Sequence, residues 1–385
     1  VQKLSTEDFA SAAWTTIVEP GDELAGLLRL TLGSATSLNA LIDRSSPSRI
    51  SGMVLATQQR DLAMTRFGNL ESSLSDALER WLPRLSKTTV ENALKVAAVS
   101  GAKFISTESE SWPGSLSDLG LGMPAGLWVR GDLTRLGAAA SIVGSRTSTP
   151  YGAWVCADFV EQLATRSLTS VSGGAFGIDA SVHRSAVALS VPTFAVMAGG
   201  VDQFYPSSNS DLLRQVVEVG AVLSELPPGA RPTRWRFLQR NRLIAALGKA
   251  TIVVEAGHRS GAINTAHHAL SIERPVGCVP GPINQSTSDG CHRLIRDGLA
   301  QLVANGSHLF ELLDVGGETA LAEPSLGALE TRALDALTQK FQAQRALLEK
   351  AGLTTLELGI ALGALELAGR AERNGQGSWR KRINL

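Results

Sequence analysis

Neither sign of charge is in excess in this sequence of 385 residues: 36 Lys and Arg stand against 36 Asp and Glu. Overall charge therefore says nothing about a polyanionic partner, and any such site must come from local segregation. Cysteine is scarce. Cys156, Cys278 and Cys291 form no CxxC pair and no framework, which points to a reducing, cytoplasmic setting. No apolar run approaches the roughly 20 residues of a membrane span. The opening VQKLSTEDFASAAW lacks the basic-then-apolar pattern of a signal peptide. Also missing are HExxH, Cys/His zinc spacings, the GxSxG elbow and the Walker phosphate loop. No metal, cofactor or catalytic residue is expected, and no membrane partner.

What is present is enough for a large core. Hydrophobic residues make up 44 % of the chain, and its length predicts two or three domains. Residues 1–110 read as a helical N-terminal domain, with helical apolar spacing over Asp22–Leu32 and Thr88–Ala98. Trp14, Trp81 and Trp112 are its expected core anchors. From 111 to 315 the pattern alternates. Strands are expected near 139–143, 168–172, 193–197, 221–224, 250–254, 275–279 and 301–303. Helices are expected near 150–166, 176–190, 208–218, 239–247, 261–272 and 289–298. Runs such as Thr251-Ile252-Val253-Val254 suit strands covered on both faces, so this is an α/β domain with a doubly wound, mostly parallel sheet. The stretch after Leu313 reads as a linker. Residues 325–385 read as short helices followed by a hairpin, a winged-helix-like domain.

Ligands of such sheets sit outside the carboxyl ends of the strands, and five features converge there. Gly144-Ser145-Arg146 follows the first parallel strand. Gly144 allows a tight turn, Ser148 or Thr149 can cap the next helix, and Arg146 offers a planar fork for phosphate. Ser172-Gly173-Gly174-Ala175-Phe176-Gly177-Ile178-Asp179 follows the next strand. It departs from GxGxxG at its first position, and no acid ends the following strand, which disfavours NAD. Asp179 can orient turn amides or a basic neighbour. Third, Arg231–Arg242 holds five arginines with Trp235 and Phe237 among them, Lys249 follows, and no Asp or Glu occurs from Leu226 to Val254. Arginines interleaved with aromatics suit a single strand of nucleic acid. Fourth, Glu255 precedes Ser260 and Gly261, which open another helix; Glu255 is expected to pair with an arginine of the Arg240-Asn241-Arg242 segment. Pro280-Gly281-Pro282 and Asp289–Ile295 close the edge.

The ordered set is specific where its members are not. Ile142-Val143-Gly144-Ser145-Arg146, Ser172–Asp179, Tyr205-Pro206, Ser224-Glu225, Phe237, Arg240–Leu247, Val254-Glu255-Ala256, Ser260-Gly261 with Thr265-Ala266, Pro280-Gly281 and Leu294–Gly298 occur in this order. Together they resemble the bacterial DNA-processing protein A (DprA/Smf) family. The resemblance implies a Rossmann-like domain that binds single-stranded DNA, dimerises, and loads the RecA recombinase in natural transformation and recombination, without enzymatic activity. Carried over by motif, Gly144, Ser145 and Arg146 would form the phosphate pocket, with Gly173, Gly174 and Gly177 in the second turn. Arg240 and Arg242 would line it with Phe237 and Asn241, Arg234 or Arg236 would extend the track, and Lys249, Ser260 and Gly261 would contribute at its edge. The sequence departs from the family at Phe176, where an arginine is usual, at Asn264, where an apolar residue is common, and at Cys291-His292. The alternative is a nucleotide-processing enzyme of phosphoribohydrolase type, with Glu255 as its acid.

Overall fold

A computed structural model describes residues 2–314 and 327–382 of the chain. The chain divides into two compact units, Val1–Gly316 and Gly317–Leu385. Most of the expected linker lies outside the described residues.

The first unit begins with α1 (Thr6–Ile17), α2 (Glu23–Leu32), α3 (Ser34–Ile42), α4 (Pro47–Leu55), α5 (Arg60–Phe67), α6 (Leu70–Trp81) and α7 (Lys87–Ser100). Local chemistry starts several of them. Ser5 and Asp8 form a capping box on α1, Asp22 caps α2, and Ser46 followed by Pro47 opens α4. Trp14 and Trp81 meet edge to face at 5.5 Å, both buried, as expected of core anchors. Trp112 is half-buried and packs against the sheet.

The sheet opens with β1 (Lys103–Ser106) and β2 (Gly126–Gly131). Strand β1 falls at the end of the stretch expected to be helical: its four residues are too few to show a period. The alternating part follows expectation, with β3 (Ala139–Val143), α8 (Pro150–Thr165), β4 (Thr169–Ser172), α9 (Ile178–Ala188), β5 (Thr193–Val196), α10 (Ser210–Val219) and β6 (Ala221–Ser224). Then come α11 (Arg234–Leu247), β7 (Ala250–Val253), α12 (Gly261–Ser271), β8 (Val276–Cys278), α13 (Asp289–Arg296), β9 (Gln301–Leu302) and α14 (Gly306–Leu312). Helix α11 starts five residues before the expected 239, so the arginine run is helical. Thr233 caps it, accepting a bond from the Arg236 N–H at 3.3 Å.

The nine strands lie in the order β1-β2-β6-β5-β4-β3-β7-β8-β9. The β1–β2 and β2–β6 pairs are antiparallel and the rest parallel. This is a Rossmann-like sheet. From β3 the chain winds outward to β6, then returns to β7 on the other side of β3, so the switch point lies between β3 and β7. Helices α8, α9 and α14 cover one face; α11, α12 and α13 cover the other. The N-terminal helices share one apolar cluster with Phe104, Trp128, Leu213 and Val222.

The second unit holds α15 (Ala328–Ala336), α16 (Gln344–Ala351), α17 (Thr355–Leu367), then a hairpin of β10 (Ala371–Arg373) and β11 (Trp379–Lys381). Its own core gathers Leu347, Leu358, Leu362, Leu365 and Trp379. Among the described residues, no helix is long and apolar enough to cross a membrane.

Trp128 couples the N-terminal helices to the sheet. It is fully buried, lies 5.0 Å from the Phe104 ring, and donates its indole N–H to Thr15 Oγ1 at 3.1 Å. Trp128→Ala should cost roughly 3–5 kcal/mol, read from the urea midpoint. A loss under about 1 kcal/mol would mean the site collapses at little cost.

Candidate nucleic-acid interface

At the switch point a cleft of about 800 Å³ opens outside the carboxyl ends of β3 and β7. Its walls are the turn after β3 (Val143–Thr147), the start of α12 with the loop before it, and the exposed side of α11. Four arginines line it (Arg146, Arg234, Arg240 and Arg259) against one carboxylate, Asp179. In a chain of zero net charge, this is the segregation that the acid-free run from Leu226 to Val254 anticipates.

The turn after β3 is built tightly. A Cβ on Gly144 would lie 2.5 Å from Ile178 Cγ1 and 2.9 Å from the Glu255 carbonyl oxygen, so only glycine fits. Ser145 Oγ accepts the Thr147 N–H at 3.2 Å and folds the turn over. The N–H groups of Ser145 and Arg146 have no acceptor among the described residues. Thr149, rather than Ser148, caps α8 by accepting the Gly152 N–H at 3.1 Å. Contrary to the expectation from sequence, Glu255 pairs with no arginine among the described residues. Its oxygens accept the Thr149 hydroxyl at 2.5 Å and the Thr149 N–H at 3.0 Å, and it is buried. The carboxylate thus locks the β3 turn to the β7 turn.

The second turn is tied to the first turn, to Asp179 and to Asn209. The Ile178 N–H donates to the Ser145 carbonyl at 3.0 Å, and the Ala175 N–H to Asp179 at 3.3 Å. Asn209 Nδ2 donates to the Gly174 and Ala175 carbonyls at 3.1 and 3.2 Å. A Cβ on Gly177 would lie 2.1 Å from the Ser145 carbonyl oxygen, and one on Gly173 would lie 2.6 Å from Arg240 Nη2. Gly174 takes φ +66°, a glycine conformation. Gly173, Gly174 and Gly177 therefore pack the turn and do not line the cleft, contrary to expectation. Asp179 orients turn amides as expected. Burial pushes its carboxyl up, opposed by Arg240 and by these bonds.

Arg240 is the buried member of the arginine set. Its Nη1 donates to the Gly173 carbonyl at 2.7 Å and to the Val196 carbonyl, and its Nε to Asn241 Oδ1 at 3.3 Å. Burial lowers its pKa to about 10, with Asp179 opposing the fall and Arg146 adding to it, so it stays cationic at neutral pH. Phe237 lies close to both guanidinium groups: Arg146 is 5.3 Å from the ring centroid and Arg240 5.7 Å. Tyr205 flanks the same ring at 5.7 Å. Asn241 Nδ2 bonds the Gly261 carbonyl at 3.3 Å and Asn264 Oδ1 at 3.1 Å, which is what Asn264 does in place of an apolar residue.

The remaining expected residues separate. Gly144, Ser145, Arg146, Arg234, Phe237, Arg240, Asn241, Ser260 and Gly261 line the cleft. Arg236 pairs with Glu19, and buried Arg242 with Glu225, so neither lines it. Lys249 precedes β7, at the opposite end of the strand, about 13 Å away at 3.3 Å per residue. Sequence reasoning missed Arg259 and Tyr205 as cleft residues, although both lie in stretches it singled out. Among the described residues no His, Cys, Asp and Glu cluster could hold a metal ion.

The sequence model of the family described as DNA recombination-mediator protein A matches residues 103–314, the stretch that carries this cleft. The chain belongs to the DNA recombination-mediator protein A (DprA/Smf) family. A DprA-named relative in Mycobacterium tuberculosis is 41% identical over 306 residues, covering 73% of this chain and 77% of its own. The X-ray structure of DprA from Streptococcus pneumoniae superposes with a TM-score of 0.62 at 26% identity, over 80% of this chain and 98% of that one. A DprA structure from Helicobacter pylori, described for its single-stranded DNA binding mode, superposes with a TM-score of 0.50 at 28% identity, over 56% of this chain and 97% of that one. Against this DprA background the departures have local accounts. Phe176 is 46 % exposed and lies outside the cleft lining. His292 Nε2 lies 2.9 Å from the Gly281 carbonyl oxygen, and Cys291 is buried under β7.

One buried group beside the site reports on pH. His183 on α9 has Nδ1 2.9 Å from Thr193 Oγ1, while its Nε2 has no partner among the described residues. Burial, reinforced by Arg240, lowers its pKa from 6.5 to about 3. The folded protein keeps it neutral where the unfolded chain takes up a proton, so stability present above pH 6.5 is lost as pH falls toward 3. The slope should approach about 1.4 kcal/mol per pH unit. His183→Gln should flatten it in urea melts between pH 7 and 5. Equal slopes in the two proteins would show that His183 does not titrate between folded and unfolded states.

Proposed function

We propose that the cleft binds single-stranded DNA without regard to sequence, and that the protein hands the strand to a RecA-type recombinase during transformation and recombination. The observation that carries the first part is the arrangement around Phe237: one ring close to both Arg146 and Arg240, in a cleft with four arginines and one carboxylate. Guanidinium groups and the open Ser145 and Arg146 N–H groups suit backbone phosphates, and a half-buried ring on the cleft wall offers its free part to a base that is not paired. Trp235, 56 % exposed on α11, offers a second stacking surface. The Helicobacter pylori relative supports this choice of ligand, since its structure is described for single-stranded DNA binding. The handover to a recombinase, a homodimeric state and a cytoplasmic setting rest on family membership.

The reading is non-enzymatic. Glu255, the acid that a phosphoribohydrolase-type reaction would need, has both oxygens held by Thr149. A three-domain division at about 110 and 315–325 belongs to the same reading, with a winged-helix-like final module whose order of helices and hairpin agrees with it.

Arg146→Glu tests the cleft. Anisotropy titrations with an oligothymidylate should show affinity reduced by about tenfold or more at matched salt, with a similar loss for other sequences. The dependence of log affinity on log salt should become shallower by about one unit. Unchanged affinity for single strands, or equal affinity of the parent for duplex, would remove this reading.

A further inference from the structure

Helix α11 has two working sides. Phe237, Arg240 and Asn241 face the cleft, while Arg236, Gln239 and Arg242 meet the chain between α1 and α2. Arg236 Nε and Nη2 donate to the two carboxylate oxygens of Glu19 at 2.9 and 2.8 Å, and Nη1 donates to the Arg231 carbonyl at 2.8 Å. Glu19 also meets Arg84 Nη2 at 3.0 Å. These bonds hold the Glu19 carboxyl below the usual range although it is half-buried. Two residues on, Gly21 (φ +79°) packs so closely on α11 that a Cβ would lie 2.5 Å from Gln239 Oε1. Asp22 then caps α2 and accepts the Trp81 indole N–H at 3.0 Å. The contact is thus rooted in the core of the N-terminal helices.

The sequence of α11 makes this contact necessary. Its first turn carries Arg234 and Arg236 and no acid, so cations stand at the positive end of the helix dipole, with Arg231 just before and Arg240 one turn on. Glu19 supplies from outside the helix the first-turn carboxylate that its own sequence lacks. The cleft depends on where that turn sits, because Phe237 and Arg240 lie within four residues of Arg236 and reach their partners over short distances.

We propose that the N-terminal helical region positions the arginine helix for single-stranded DNA, with Glu19 as the positioning residue acting through Arg236. This rests on the reading of the cleft given above. It reverses a simple electrostatic expectation. Removing a negative charge beside a polyanion site should tighten binding, whereas loss of a positioning contact should weaken it.

The experiment uses the full chain and an oligothymidylate over a salt series. Glu19→Gln and Arg236→Gln should each weaken binding by roughly three- to tenfold, with the salt slope unchanged. The double variant Glu19→Arg, Arg236→Glu keeps the net charge and should recover part of the loss, the rest being withheld by Arg84, which then faces a cation. Hydrogen exchange in the DNA-free protein should show faster opening of the amides of 234–240 in both single variants, and protection restored in the double. Glu19→Gln binding as tightly as the parent or tighter would overturn the proposal. So would a failed recovery with a salt slope shallower by about one unit in Arg236→Gln, which would make Arg236 a phosphate contact. Exchange unchanged in all variants would overturn it too, even if the parent bound no oligonucleotide and only the reading of the cleft failed.

Discussion

The site is organised by one guanidinium that has been taken out of water. Arg240 sits at the base of the cleft, with Nη1 donating to the carbonyl of Gly173 after β4 and that of Val196 at the end of β5. A buried cation is tolerated only where hydrogen bonds and opposite charge replace its hydration. Here two strand ends supply the acceptors and Asp179 the charge. The requirement runs outward from there. Gly173 must be glycine because a side chain would enter the space of both Arg240 and Asp179, and Asp179 in turn holds the Ala175 amide. Phe237, one turn earlier on α11, inherits its place over the cleft from Arg240.

Seen this way, the two glycine turns have different jobs. Both follow a parallel strand and precede a helix, the arrangement that predicts an anion site. The turn after β3 brings to the cleft the Ser145 and Arg146 N–H groups, which have no acceptor among the described residues. The turn after β4 gives its Ile178 and Ala175 amides to Ser145 and Asp179 and holds Arg240 through the Gly173 carbonyl. Its positive contribution reaches the cleft as a guanidinium rather than as a helix N-terminus.

Much of this was legible in the sequence, for identifiable reasons. Strands buried on both faces write continuous apolar runs, so β3 to β8 and the helices between them stood out with small errors at their ends. The cleft residues Gly144 to Arg146 and Ser260 were recoverable because their motifs follow a strand's carboxyl end, and Phe237, Arg240 and Asn241 because they stand in an acid-free run of arginines. What stayed hidden was long-range pairing. Nothing near Arg236 announces that Glu19, 217 residues earlier, will take its guanidinium, or that Arg242 is committed to Glu225. A run of five arginines reads as one basic track, yet helical geometry sends Arg242 to the side opposite Arg240, and Arg236, one turn before Arg240, is drawn off by Glu19. Lys249 misled for a related reason: it lies close in sequence to the run but just precedes β7, and so sits at the amino ends of the strands, away from the cleft. Glu255 misled because an acid among arginines suggests an ion pair, whereas here it bonds a helix cap.

The second unit shows how far an order of elements can be pressed. Three helices and a hairpin suit a winged-helix module, in which the last helix would be the one to meet DNA. In this chain that helix is α17. Its inner side, Leu358, Ala361, Leu362 and Leu365, fills the unit's core. Its outer side carries Leu356, Ile360 and Leu367, all exposed, with Gly359 and Gly363 between them and no lysine or arginine from Thr355 to Leu367. An outward stripe of that kind has nothing to offer phosphates or base edges. The unit's cations lie elsewhere: Arg373, Arg380 and Lys381 are on the hairpin, with Arg380 engaged by Glu372, and Arg345 and Lys350 are on α16. Arrangement alone would assign α17 to DNA, but its surface chemistry argues against that role, so the arginine-lined cleft of the first unit remains the better-argued nucleic-acid site among the described residues.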